Sequence, residues 1–357
     1  MSQSVRLLRQ GEIRKILVLQ VGPIGDTILS VPALKALRAG FPQAGIAVVA
    51  TPRAGDVLRG LPYHDELRVC RNGFDLMRTV MQYRRSGFDL AVGLSNGGSW
   101  LAFLCNTRFK AGLSSPLLAL AEPGAVKEEP SAHVVEHCLA VVRLLGAAVP
   151  EIRGLEIALS QHEREKAAAF LAGVNQAGPL VALHPGGHYF SFKRWPVERF
   201  ASLADALAAR GYGVVVVGGT EDGALAAALT GATRHAPLSA VGRLGIKETA
   251  ALIAKCSLFI GNDSAPLHLA AAVGTPAIGL FGPTSPAQFR PFGQGHEVIY
   301  KGLPCSPCFK FLGSPLQYWP KCRRPACMEA IGESEVLAAA LARLQKTAGA
   351  AAGEAGG

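Results

Sequence analysis

Gly261-Asn262-Asp263-Ser264-Ala265-Pro266-Leu267-His268-Leu269-Ala270-Ala271-Ala272 follows directly on the apolar run Cys256–Ile260. The run reads as a buried strand ending at Gly261, and the alanine-rich stretch as a helix that starts near Ala265 with Asp263 or Ser264 as its cap. The first turn of such a helix presents backbone N–H groups without intrahelical partners and the positive end of the helix dipole. Those are the two features that hold a phosphate or a diphosphate, so an anion site is expected here. Small side chains at Ser264, Ala265 and Ala270–Ala272 let backbone approach a ligand and let the helix lie close on a sheet, and Gly274, Thr275 and Pro276 end it. An ordinary capped helix in an α/β domain has the same local pattern, so the rest of the chain decides between the two.

Outward from this stretch, apolar runs that end in glycine or polar turns recur. Lys15–Val21 reads as a buried strand, and Gly22-Pro23-Ile24-Gly25 turns it into a helix from about Asp26 to Ala39. Only two glycines are present in that turn, short of the three-glycine dinucleotide fingerprint, so no nicotinamide or flavin is implied. Asp26 lies at the C-terminal edge of the first strand, where a carboxylate either caps the helix or takes a proton from a substrate. Ile46–Ala50, Phe88–Leu94 and Phe109–Leu113 are further strands of this half, with helices between them. A second series begins at Leu180–Leu183 and runs into His184-Pro185-Gly186-Gly187, then Phe192-Lys193-Arg194-Trp195-Pro196, with a helix over Val197–Arg210. Glycines at a strand end allow close backbone approach, and Lys193 and Arg194 supply cationic donors. Tyr212–Val217 is a strand closed by Gly218-Gly219-Thr220, after which Glu221 or Asp222 either accepts hydrogen bonds from sugar hydroxyls or caps a helix. Leu244–Ala254 is a helix, and Pro276–Phe281 is a last strand that ends in Gly282-Pro283-Thr284. In an open parallel sheet all these strand ends fall on one edge, where ligands bind.

With 357 residues and 49% hydrophobic composition the chain has room for two packed domains. No apolar stretch reaches membrane-spanning length. The N-terminus carries Arg6, Arg9 and Arg14 without an apolar block, so it does not read as a secretory signal, and a cytoplasmic location is expected. Lys and Arg number 36 against 26 Asp and Glu, a formal net charge of +10, which favours anionic partners. Aromatic RNA-binding signatures and dense Lys/Arg runs are lacking, which argues against nucleic acid.

Cys70, Cys105, Cys138 and Cys256 are scattered and read as buried free thiols of a reducing compartment. Cys305, Cys308, Cys322 and Cys327 resemble a zinc-ribbon arrangement with a second pair wider than usual, and local thiols or a disulfide are preferred to a structural zinc. His133, Glu136 and His137 match the His-x-x-Glu-His spacing of one zinc-peptidase class. No third ligand is marked, and a packing helix over Ser131–Leu145 is the reading adopted.

Taken together, Pro-Ile-Gly-Asp-Thr at 23–27, Phe-Lys-Arg-Trp-Pro at 192–196, Gly-Asn-Asp-Ser at 261–264 and Phe-Gly-Pro-Thr-Ser-Pro at 281–286 resemble the ADP-heptose:lipopolysaccharide heptosyltransferases, glycosyltransferase family 9. The resemblance runs from about Lys15 to the terminal helix. It implies an α/β chain of GT-B fold, two Rossmann-like parallel-sheet domains facing across a cleft. Residues 15–160 would form the acceptor-binding domain and 161–332 the nucleotide-sugar domain, after a leader over 1–14 and before a terminal helix over 333–347 and a disordered tail over 348–357. Asp26 falls where the family has its catalytic base. Gly186 and Gly187 fall in the loop near the donor phosphates, Lys193 at a diphosphate contact, and Glu221 at a ribose contact. Asp263 falls at a position facing the donor sugar, Ser264 and Ala265 where backbone holds the diphosphate, and His268 on the same helix. Many members carry Gly where this chain has Ala265. The implied reaction is inverting transfer of heptose from ADP-heptose, without a required cofactor, to an anionic lipid A/Kdo-type or heptosyl acceptor at the inner membrane surface. A nucleotide-sugar epimerase of the same fold and a non-catalytic nucleotide-sugar-binding protein are the alternatives.

Overall fold

A computed structural model describes residues 12–114, 125–127, 129, 131–172, 178–187, 191–309, 322 and 324–354, the last eight by backbone only. The expected leader lies outside the described residues except for 12–14. There Ile13 is buried, and the Arg14 and Lys15 N–H groups donate to Asp89 Oδ2 at 2.8 and 3.0 Å. The chain divides into two compact units that change over between Ala158 and Leu159.

The first unit is built on a six-stranded sheet of β1 (Lys15–Gln20), β2 (Gly45–Ala50), β3 (Glu66–Val69), β4 (Leu90–Gly93), β5 (Phe109–Ser114) and β6 (Ala125–Lys127), in spatial order β3-β2-β1-β4-β5-β6. Every pairing is parallel. Central strands such as Ile16-Leu17-Val18-Leu19 are continuous apolar runs because helices cover both sheet faces. α1 (Ile24–Gly40) packs with the helix Val134–Leu144, and α2 (Pro52–Leu58) lies against α1. α3 (Gly73–Tyr83) and α4 (Asn96–Leu104) share a cluster in which Leu76, Val80, Leu101 and Ala102 meet Leu17, Leu19, Ala47, Val49 and Ala91.

The second unit repeats the plan with β7 (Leu180–His184), β8 (Gly213–Val216), β9 (Leu238–Ser239), β10 (Leu258–Asn262), β11 (Ala277–Phe281) and β12 (Glu297–Tyr300), in order β12-β11-β10-β7-β8-β9. These pairings are parallel too. Trp195 and Phe200 meet edge to face at 4.9 Å in its core, and the Trp195 indole N–H donates to the Ile331 carbonyl at 3.0 Å. Val336, Ala340 and Leu344 of the terminal helix close that core.

In each sheet the strand order reverses direction once, between β1 and β4 and again between β7 and β10. Loops that leave such a pair diverge to opposite faces and leave a crevice beyond the C-terminal strand ends. Asp26 and Ser95 flank the first reversal, while His184 and Ser264 flank the second.

Two boundaries differ from those read in the sequence. The first helix starts at Ile24, so Asp26 is its third residue, and Pro23 at the cap position has no N–H for a carboxylate to accept. The terminal helix runs from Glu333 to Glu354, through much of the stretch expected to be disordered, because Ala348, Ala350, Ala351 and Ala352 are strong helix formers that outweigh Gly349 and Gly353. Residues 355–357 lie outside the described set.

Close approach fixes α4 on its sheet. A Cβ on Gly98 would stand 2.0 Å from the Leu19 carbonyl oxygen, and one on Gly93 would stand 2.2 Å from Ser99 Cα. Both obstacles are backbone. Gly98→Ala is therefore expected to destabilise the protein by about 1–3 kcal/mol or more through overpacking, read as a lower midpoint in denaturant.

Candidate functional site

At the reversal of the second sheet one buried side chain ties three segments together. Asn262, the last residue of β10, accepts from the Trp195 N–H at 3.0 Å and donates to the carbonyls of Pro185 and Gly186 at 3.0 and 2.8 Å. The turn after β7 is thereby held against the end of β10. His184, also buried, places Nε2 3.3 Å from Asp222 Oδ2 and Nδ1 3.0 Å from Ser264 Oγ. Asp222 accepts as well from the Gly219 N–H at 3.1 Å. Burial opposes ionisation of Asp222, but the His184 hydrogen bond and charge, with the Gly219 N–H and Arg194, hold its carboxyl below the usual range.

This knot explains the glycines more directly than ligand approach does. A Cβ on Gly186 would come within 2.3 Å of Asp222 Oδ1, and one on Gly218 within 2.7 Å of Oδ2. Gly187, the last described residue of the turn, is buried beside it. Of the two acidic residues read after β8, Asp222 turns inward and Glu221 stays exposed on the one-turn helix Thr220–Asp222.

The expected cap of the helix Ala265–Ala272 is not made by either candidate. Ser264 occupies the cap position in an extended conformation, yet no side chain caps the helix. The Ser264 hydroxyl lies 3.0 Å from both His184 Nδ1 and the Asn262 carbonyl. Asp263 instead pairs with Lys193, Nζ to Oδ2 2.9 Å, and both side chains are largely buried. The helix start therefore keeps its dipole end without a carboxylate cap, and Pro266 in the first turn has no N–H to satisfy. His268 is buried one turn further on. Burial disfavours the charged Asp263 carboxyl, but Lys193 and then His268 outweigh it and hold the group below the ordinary value. The Lys193 ammonium also stands 5.1 Å from the centre of the Phe309 ring.

Asp26, half-buried in the first turn of α1, occupies the equivalent place in the first unit. A Cβ on Gly22 would lie 3.4 Å from Asp26 Cβ and 3.1 Å from Ser95 Cβ, so Asp26 and Ser95 both close on the turn after β1. The structure thus groups Gly186, Gly187, Lys193, Asp263, Ser264, Ala265 and His268 about one strand reversal, with Glu221 at the end of the adjacent β8. It puts Asp26 at the corresponding point of the other sheet. Asn262 and His184 carry structural roles that sequence reasoning missed, and their position as the last residues of apolar strands was the available signal.

The other motifs resolve differently. His133 caps the helix Val134–Leu144 by accepting from the Val135 N–H at 3.2 Å, and Glu136 pairs with Arg143. His137 Nε2 sits against the Glu129 backbone, with burial pushing its pKa down. Cys70, Cys105, Cys138 and Cys256 are buried free thiols. Cys305, Cys308 and Cys322 are exposed and Cys327 is buried, and no disulfide joins them. Among the described residues no three His, Cys, Asp or Glu side chains are placed to hold a metal, and the intervening 310–321 lie outside that set.

Residues 77–318 match the model of glycosyltransferase family 9 (heptosyltransferase). The chain belongs to glycosyltransferase family 9. Over 303 residues it is 26% identical to lipooligosaccharide heptosyltransferase 2 of Haemophilus influenzae, covering 79% of this chain and 88% of that one. Over 299 residues it is 29% identical to lipopolysaccharide heptosyltransferase 3 of Escherichia coli, covering 78% and 86%. The solved family 9 glycosyl transferase of Veillonella parvula superposes with a TM-score of 0.77 at 25% identity, covering 94% of this chain and 99% of its own. A family 9 member is a glycosyltransferase, and two parallel-sheet units in one chain are the components of the GT-B fold.

The Lys193–Asp263 pair gives this family 9 site its main stability test. Lys193→Met strands a buried carboxylate and is expected to cost about 3–5 kcal/mol in denaturant unfolding, most of it recovered in the Lys193→Met/Asp263→Leu double variant. Because folding lowers the Asp263 pKa, its contribution is present above the ordinary carboxylate range and is lost as pH falls through the depressed folded-state value. The acid limb of the stability curve should flatten in the double variant.

Proposed function

We propose that the protein transfers a heptose from ADP-heptose to the lipopolysaccharide inner core, a Kdo/lipid A or heptosyl acceptor, by a single displacement that inverts the anomeric carbon. The observation that carries this reading is the helix start at Ala265: no side chain caps it, it sits at a strand reversal, Lys193 pairs with the preceding Asp263, and exposed Glu221 follows the adjacent β8. A diphosphate fits that set of groups. The relatives' names supply the sugar and the acceptor class.

In this mechanism the first-turn N–H groups after Ser264 hold the diphosphate as ADP departs and its negative charge grows. Asp263 holds the Lys193 ammonium in place, so its N–H groups are offered to the leaving group without a loose side chain to reorganise. Glu221 accepts from ribose hydroxyls. Asp26, on the unit that holds the acceptor, takes the proton of the attacking hydroxyl as the new glycosidic bond forms and the bond to phosphate oxygen breaks. The donor comes from the cytoplasm and the acceptor from the inner face of the membrane.

Incubation of the protein with ADP-heptose and Kdo-bearing lipid A should release ADP and add one heptose mass to the lipid. Asp26→Asn is expected to lower turnover by about 10²- to 10⁴-fold with little change in ADP affinity. Donor turnover without acceptor would favour the epimerase reading. Near-normal transfer by Asp26→Asn would remove that residue from the mechanism.

A further inference from the structure

The large hydrophobic side chains that stand exposed in the described structure all fall in one short region: Phe74, Met77, Met81, Trp100 and Leu104. Phe74 is 80% exposed and Leu104 54%. Phe74, Met77 and Met81 follow helical spacing along α3, on the side opposite Leu76, Thr79, Val80 and Tyr83, which turn toward the sheet. Trp100 and Leu104 are one turn apart on the outward side of α4. Both helices pack into the same cluster on the same sheet face, so their outward sides belong to one surface. A helix with an apolar inner face normally turns a polar face to water. The outer side of α3 instead sets Phe74, Met77 and Met81 among Arg78 and Gln82.

Arginines frame the outer stripe. Arg78, Arg84 and Arg85 are exposed, and among the described residues none of them forms an ion pair. With Met81, Gln82 and Asn106 they line an open hollow of about 730 Å³, large enough for a phosphorylated headgroup. The acidic residue of this helix, Asp75, is engaged by Arg68 and the Arg71 N–H. An apolar stripe flanked by guanidinium groups that no carboxylate pairs is the composition of a helix lying in a membrane interface, where the stripe enters the acyl boundary and the cations stay among phosphates. No helix among the described residues is long and apolar enough to cross a membrane.

We infer that the outer face of α3 and α4 docks the protein on an anionic lipid bilayer. A second copy of the chain is disfavoured by charge, since a two-fold contact through this surface would set the arginines of one copy against those of the other.

Full-length protein is tested by co-sedimentation with vesicles of phosphatidylglycerol and phosphatidylethanolamine against vesicles of phosphatidylcholine, without nucleotide sugar. Failure here leaves the donor reading standing, and failure of that reading leaves this result intact. Binding is expected to the anionic vesicles and to weaken steeply with salt. The combined variant Arg78→Gln, Arg84→Gln and Arg85→Gln should lose about a hundredfold in vesicle affinity together with most of the salt dependence. The combined variant Phe74→Ser, Met77→Ser and Met81→Ser should bind about tenfold or more weaker while keeping the salt dependence. All six positions are exposed, so thermal unfolding should match the parent. Equal binding to both vesicle types, parental affinity in both variants, or a vesicle-free dimer that these substitutions dissociate would each overturn the assignment.

Discussion

The second unit depends on the side chain of Asn262. A parallel sheet leaves its strand ends bare, and the turns that leave two adjacent strands toward opposite faces have no ladder to hold them together. One buried amide with three partners does that work: it fixes the turn after β7 through two carbonyls and the segment containing Lys193 through the Trp195 N–H. An aspartate in its place would present no donors to the two carbonyls, and a leucine would leave all three backbone groups unsatisfied in a dry site. The ion pair, the uncapped helix start and the His184–Asp222 contact all sit on the frame that this residue sets.

That frame also shows how charge is arranged at the start of the helix Ala265–Ala272. Asp263 would repel a diphosphate from the adjacent helix start, yet its carboxylate is covered by Lys193, and the Ser264 hydroxyl is drawn toward His184. Both residues best suited to cap the helix are thus committed elsewhere. The helix start is left without a side-chain cap because the local side chains are occupied by tertiary partners.

The central strands were legible because burial on both faces leaves an uninterrupted apolar run, as in Ile16–Leu19 or Leu258–Ile260. The sheet edges were not. Glu66-Leu67-Arg68-Val69 alternates over only four residues and Leu238-Ser239 is two residues long, so neither is long enough to stand out as a strand by its pattern. The candidate residues were legible as positions, since apolar strands of both halves end in turns with Gly, Ser or Asp. Their partners were not, because the contact of Lys193 with Asp263 spans 70 residues and that of Asn262 with Gly186 spans 76. Local pattern also misled at Ser264, where sequence sees a capping residue and tertiary contact turns the hydroxyl away. The two-sided character of α3 was not legible, since Phe74, Met77 and Met81 look like core until the sheet is seen to take the other side of the helix.

Trp195 and Trp100 give the two units separate optical reporters. Trp195 is sealed in the core of the second unit, its indole N–H bonded to Ile331, and should emit toward the blue until that unit unfolds. Trp100, in the first unit, is 40% exposed and should emit toward the red in water. With Trp319 replaced by Phe, a quencher dissolved in the buffer reaches one indole and not the other, so fluorescence can follow each half of the chain without an attached dye.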